Sequence, residues 1–198
     1  MSKSKFKSGF TLLETVIALA VITAAVVGPV YLITKGLFSS ALSKNKLVAS
    51  NLAQEGIETV RAVRENNIIC NFLIADPSTP WSWVTDSIGS GSLVGSGRIV
   101  DAVQTDSITC NGKTLSNPQI RNTADCANTP LKLDAGDKYN YGSGSNTVFK
   151  RCVSITQPGS DEGPIPKADI ADLDITVYWN EKGLTKNFNV KERIYNWR

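Results

Sequence analysis

The chain has 198 residues, enough for one or two domains, and carries 21 Lys and Arg against 18 Asp and Glu, a net charge of +3. It contains no histidine, which removes the commonest general base and metal ligand and every nucleophile–histidine pair. Lys3, Lys5 and Lys7 account for the whole excess of positive charge, so the remainder is balanced and gives no nucleic-acid footprint.

Residues 1–9 form a short basic leader that contains no acid and ends at Gly9. From Phe10 to Ile33 the only charged side chain is Glu14. As a helix, these 24 residues rise about 36 Å, enough to cross a hydrocarbon core of about 30 Å. A carboxylate in such a run costs about 2.5–3.5 kcal/mol on insertion scales and needs a reason. Gly28-Pro29 interrupts the run, and the missing proline donor predicts a kink or local melting. Three readings compete: a secretory signal with Ala18-Leu19-Ala20 as its cleavage box, a plain membrane anchor, and a leader cut between Gly9 and Phe10. Glu14 inside the apolar core, and 13 more uncharged residues after Ala20, argue against the first.

Beyond Ile33 the pattern turns amphipathic. Ala49, Ala53, Gly56, Val60 and Val63 form one helical stripe, widened by Leu42, Val48, Leu52 and Ile57. One helix is predicted from about Thr11 to Glu65, ended by Asn66-Asn67. The chain then divides into a membrane or filament-core helix over 10–34, an amphipathic half of the same helix over 35–66, and a β-rich head over 67–198. A coiled-coil stalk is disfavoured because the stripe is short and small-sided.

In the head, Asp76–Pro80 and Gly89–Gly97 read as loops. Thr147–Ile155 alternates, with Phe149, Val153 and Ile155 on one side and Val148 and Cys152 on the other. Leu173–Trp179 alternates cleanly, Asn180-Glu181-Lys182-Gly183 is a four-residue turn, and Leu184, Phe188 and Val190 return as the partner strand. Cys70, Cys110, Cys126 and Cys152 all follow the apolar run, and none has the CxxC spacing of a zinc or redox site. In an extracytoplasmic domain they read as two disulfides, with three connectivities open. Cys110–Cys126 with Cys70–Cys152 is the expected pairing, and buried free thiols are the alternative.

Asp161, Glu162, Asp169, Asp172 and Asp174 concentrate acids near a Gly/Pro-containing loop, but their spacing matches no EF-hand, so a solvated acidic loop is favoured over a calcium site. Trp81, Trp83, Tyr139 and Tyr141 read as core aromatics before an adhesive surface. Gly89-Ser90-Gly91-Ser92 and Gly95-Ser96-Gly97 lack the lysine and following helix of a phosphate loop.

Lys7-Ser8-Gly9-Phe10-Thr11-Leu12-Leu13-Glu14 resembles the type IV prepilin signature: a basic leader ending in glycine, then phenylalanine, then a glutamate five residues into the mature chain. Thr15–Ile22 continues the resemblance, and Gln54–Arg61 looks like the same stretch in minor pilins and pseudopilins of type II secretion. The C-terminal hairpin ending Tyr195-Asn196-Trp197-Arg198 is loosely similar to their last strands, whereas residues 71–140 carry no resemblance.

The resemblance implies an α+β pilin fold, a long N-terminal helix packed on a C-terminal antiparallel sheet. It implies a structural subunit rather than an enzyme, with no cofactor, metal or catalytic residue. It implies a membrane prepilin peptidase that cuts between Gly9 and Phe10 and methylates the new amine of Phe10. The chain would stand as a single pass in the inner membrane lipid with its head extracytoplasmic. It would then join other pilin or pseudopilin subunits, through an assembly platform, in a filament of the periplasm or cell surface. Leu12 and Leu13 would pack against lipid and subunits, and Glu14 would pair with a neighbour's Phe10 amine to set register. The competing class is a membrane-anchored extracytoplasmic binding or adhesion module, which has no use for Glu14.

Overall fold

A computed structural model describes residues 11–73, 83, 94–123 and 125–196. The chain divides into two compact units, residues 1–45 and 46–198. Helix α1 spans Leu12–Leu73. It runs through Pro29 with no break in helical structure, so the expected local melting does not occur. Proline withholds one amide from the ladder, and the helical turns on either side continue past it although Val27, Gly28 and Val30 are weak helix formers.

From Ala49 onward α1 supplies the core of the second unit. Ala49, Leu52, Ala53, Gly56, Ile57, Val60 and Val63 are buried, as the stripe predicts, while Leu42 stays exposed. The helix does not stop at Asn66-Asn67. Asn66 Nδ2 donates to Ser116 O (3.2 Å) and Asn117 Oδ1 (3.0 Å), and buried Asn67 donates to Trp83 O (3.3 Å). These tertiary bonds carry poor helix formers for two further turns.

The head sheet contains β1 (Gly95–Cys110), β2 (Lys113–Asn122), β6 (Phe149–Thr156), β7 (Ile170–Glu181) and β8 (Leu184–Tyr195), in the antiparallel order β2-β1-β6-β7-β8. Three two-residue strands, β3 (Lys132–Leu133), β4 (Tyr139–Asn140) and β5 (Ser145–Asn146), make a small second sheet. The α+β class and the C-terminal hairpin are as predicted. The turn is tighter than predicted: Glu181 pairs with Leu184, leaving a two-residue loop with Lys182 at φ 51° and Gly183 at φ 79°. Two positive φ values match the right-handed twist of the strands, as in a type I′ turn. Asn111 (φ 48°) and Gly112 (φ 76°) close β1 to β2 in the same way.

The face of the sheet toward α1 is apolar. Phe149, Val153, Ile155, Leu173, Ile175, Val177 and Trp179 are all buried there. So is Arg151, which is 0 % exposed. Its Nη1 donates to the helix carbonyl of Leu52 (2.8 Å) and its Nη2 to Val100 O of β1 (2.6 Å). Glu55 Oε1 lies 3.4 Å from Nη1 and supplies the counter-charge. Gly56 makes room for it, since a Cβ there would sit 3.2 Å from Arg151 Cδ and 3.0 Å from Ile175 Cδ1.

Beside it, Asp101 holds a bulge in β1. Its Oδ1 accepts the amides of Val103 and Gln104 (3.0 Å each), and its Oδ2 accepts that of Tyr141 (2.8 Å). Burial pushes the Tyr141 phenol above its usual range, so it stays protonated and donates to Arg151 O (3.0 Å).

The cysteines pair as Cys70–Cys110 and Cys126–Cys152, and none among the described residues is free. Two disulfides are as expected, but the expected partners are not. The extension of α1 carries Cys70 to the hairpin end of β1, where Cys110 stands next to Asn111-Gly112. Cys126, in the loop after β2, is left to reach Cys152 on β6. The bridges close loops with sequence separations of 40 and 26. In the chain-entropy picture their loss costs about 4 and about 3.5 kcal/mol respectively. Peptide mapping of unreduced protein is expected to recover these two pairs, and a Cys110–Cys126 peptide would refute the topology at the end of α1.

Candidate functional site

The region with unsolved physical chemistry is the start of α1. Every residue from Thr11 to Lys44 is exposed, including Leu12 (82 %), Val27 (66 %) and Leu32 (69 %). The helix is long and apolar enough to cross a membrane, and no residue of its most apolar window is buried. An apolar surface of this extent is not stable against water and requires lipid or protein around it.

Glu14 lies in the first turn of α1. Thr11 stands just before the helix as its N-cap: its hydroxyl accepts the Glu14 amide (3.3 Å), and its carbonyl accepts the amide of Thr15 (3.2 Å). Thr11-Leu12-Leu13-Glu14 is therefore the Thr-x-x-Glu pattern of a capping box, a signal legible in the sequence but not used there. The cap fixes where the helix begins, and the helix dipole favours an acid in that turn. Among the described residues Glu14 forms no ion pair, and the first cation along the helix is Lys35, 21 residues on. A carboxylate so placed in an apolar surround needs a cation from outside this segment. The predicted scissile pair Gly9 and Phe10, with the Phe10 amine, lies outside the described residues.

The other predicted sites resolve into structural roles. Arg193 binds Asp172 through two nitrogens (Nε 2.6 Å, Nη2 2.9 Å) and Glu162 through Nη1 (3.0 Å). The hydrogen bond to Asp172 holds the Arg193 guanidinium above its ordinary range. Lys191 pairs with Asp174 (3.2 Å), Asn196 donates to Asp169 (2.8 Å), and Asp161 accepts the Lys167 amide (2.8 Å). The acids thus face donors, two of them the β8 cations Lys191 and Arg193, and Asp172 and Glu162 meet on the Arg193 guanidinium. Among the described residues no group of three or more His, Cys, Asp or Glu is arranged to hold a metal ion. Trp83 and Tyr141 are buried, Trp83 donating to Ala168 O (3.0 Å), and Tyr139 meets Phe149 edge-on. Trp81 and Gly89–Ser92 lie outside the described residues, while Gly95 and Gly97 open β1.

No protein family model matches the chain, and no characterised protein or solved structure is detectably similar to it.

Proposed function

We propose that this chain is a pilin-like subunit, made as a precursor, cut after Gly9, held in a membrane by the first part of α1, and built into a helical filament. The observation that carries this reading is a single carboxylate in the first, capped turn of α1, at the head of an apolar stretch exposed from Thr11 to Lys44. Cleavage before Phe10 creates an ammonium one helical turn from Glu14 in sequence. In a staggered array that ammonium reaches the Glu14 of an adjacent subunit and satisfies it. Such a pair adds little net stability, because desolvation offsets the attraction, but an unpaired member is costly, so the pair sets register. The balanced charge of the processed chain and its two disulfides suit an extracytoplasmic head. The partners on this reading are a prepilin peptidase, an assembly platform in the inner membrane, and further pilin or pseudopilin subunits.

Mass spectrometry of the membrane-bound protein tests the reading. The expected mature N-terminus is Phe10 bearing one extra methyl group. Gly9→Val is expected to leave the precursor uncut, because a β-branched side chain crowds the peptidase's approach to the backbone. A terminus at Val21 would instead mean a secretory signal. An intact Met1 terminus would mean a plain anchor, and with it the membrane-anchored binding module.

A further inference from the structure

We infer that the head carries a binding site for one neutral pyranose ring of a glycan, on the face of the sheet opposite α1. The site is a cavity of about 270 Å³ lined by Val148, Lys150, Tyr178, Asn180, Thr185 and the loop residues Ala127 and Asn128, with Trp179 reaching it at the end of the sheet. That volume falls just below the ~300–1,000 Å³ of pockets that enclose drug-sized ligands, and suits a single ring.

The strands place these groups by alternation. Phe149 and Arg151 point to the core, so Val148 and Lys150 point away from it. Lys150 stands opposite Tyr178, and Asn180 opposite Thr185. The remaining wall is preorganised. Cys126–Cys152 ties the loop to β6, and Asp125 binds the Asn128 side chain (2.6 Å) and the Thr129 hydroxyl (2.9 Å).

The chemistry of the lining selects the ligand. Tyr178 and Val148 offer an aromatic and an aliphatic surface for the C–H face of a sugar ring. Around them, polar groups stand uncommitted: among the described residues the Tyr178 hydroxyl, the Thr185 hydroxyl and the Asn180 amide nitrogen make no hydrogen bond. Asn180 uses only its oxygen, on the Gly183 amide (3.0 Å). Lys150 makes one long bond, 3.5 Å to Asn128 Oδ1. Donors and acceptors beside an aromatic and an aliphatic side chain match the hydroxyls and the C–H face of a sugar ring. Lys150 is the only charged lining group, and Asp125 and Glu181 stand close behind the wall, each holding a neighbouring donor. The near balance of charge favours a neutral over an acidic sugar.

This site does not depend on the filament reading, and failure of the Gly9–Phe10 cleavage test leaves it standing. The test is saturation-transfer NMR on the full chain in detergent, with methyl hexopyranosides and a methyl uronoside as probes. Transfer to the C–H face of a neutral pyranoside is expected, with millimolar affinity. Tyr178→Ala is expected to weaken it about tenfold through loss of the stacked ring. Thr185→Trp, at an exposed position, is expected to abolish it by filling the cavity, and it does so without touching the core. Lys167→Ala, outside the groove, is expected to leave binding unchanged. No transfer from any pyranoside would overturn the assignment, as would transfer insensitive to both groove variants. Binding of the uronoside alone would overturn the neutral class.

Discussion

Arg151→Ala is expected to destabilise the head by about 3–5 kcal/mol, from the loss of two charge-assisted hydrogen bonds, about 1.5–3 kcal/mol each, and of the packed side chain, partly offset by relief of a buried charge. The guanidinium is wholly enclosed, and three elements meet on it: the Leu52 carbonyl and Glu55 of α1, the Val100 carbonyl of β1, and β6 itself. Alanine removes the side-chain donor from both carbonyls, of which that of Leu52 keeps its helical partner, and opens a cavity beside Gly56. Arg151→Met fills most of that space and is expected to recover part of the loss. Glu55→Gln should cost less than Arg151→Ala, because the Glu55 side chain is 34 % exposed and its pairing is screened by solvent. Gly56→Val should be severe as well, since Ile175 Cδ1 and Arg151 Cδ already lie within 3.2 Å of the first added carbon. Urea unfolding of the full chain in detergent, followed by tryptophan fluorescence with disulfides intact, gives these values. Equal stability of Arg151→Ala and wild type would show that the helix and sheet do not depend on this contact.

Arg151 also shows what the sequence conveys and what it hides. Phe149, Arg151, Val153 and Ile155 share one face by simple alternation, so the period alone places the arginine in the core. The expectation that charge stays outside masks it, and only Glu55 and two carbonyls contributed by distant elements make its burial tolerable. The stripe of α1 and the C-terminal hairpin were legible because each rests on local period and local turn chemistry. The end of α1 was not, because Asn66, Asn67 and Cys70 are held helical by partners far along the chain. The disulfide pairing depends on that end and so went with it. Asn111-Gly112 is a different case: it is the strongest short hairpin signal a sequence carries, and it would have placed β1 and β2 in a stretch otherwise without landmarks. At the candidate site, Glu14 was legible from composition. The Thr11 cap that begins the helix was written in the same four residues.

Glu14→Gln is expected to leave membrane insertion and cleavage intact while preventing incorporation into filaments. The substitution removes the only charge from the run Phe10–Ile33, so the monomer should sit in the membrane as well as wild type or better. The helix start is retained, because the Thr11 hydroxyl binds the backbone amide of residue 14 and not its carboxylate, and glutamine serves equally at that position of a capping box. Folding, insertion and assembly are therefore separable in this variant. What is lost is the anion that would meet the Phe10 ammonium of an adjacent subunit, and an ammonium left alone in an apolar interior carries the full cost of desolvation. A plain membrane anchor gives the opposite result, since nothing downstream would use the carboxylate. The measurement is the amount of variant recovered with sheared filaments, at equal membrane level, beside wild type. A subunit confined to a filament tip has neighbours on one side only, so copies per filament are counted in the same preparation. Equal recovery at many copies per filament would defeat the register role of Glu14. A Thr11→Ala variant separates the two contributions of this turn: it weakens the cap by about 1 kcal/mol but keeps the carboxylate, and should still assemble.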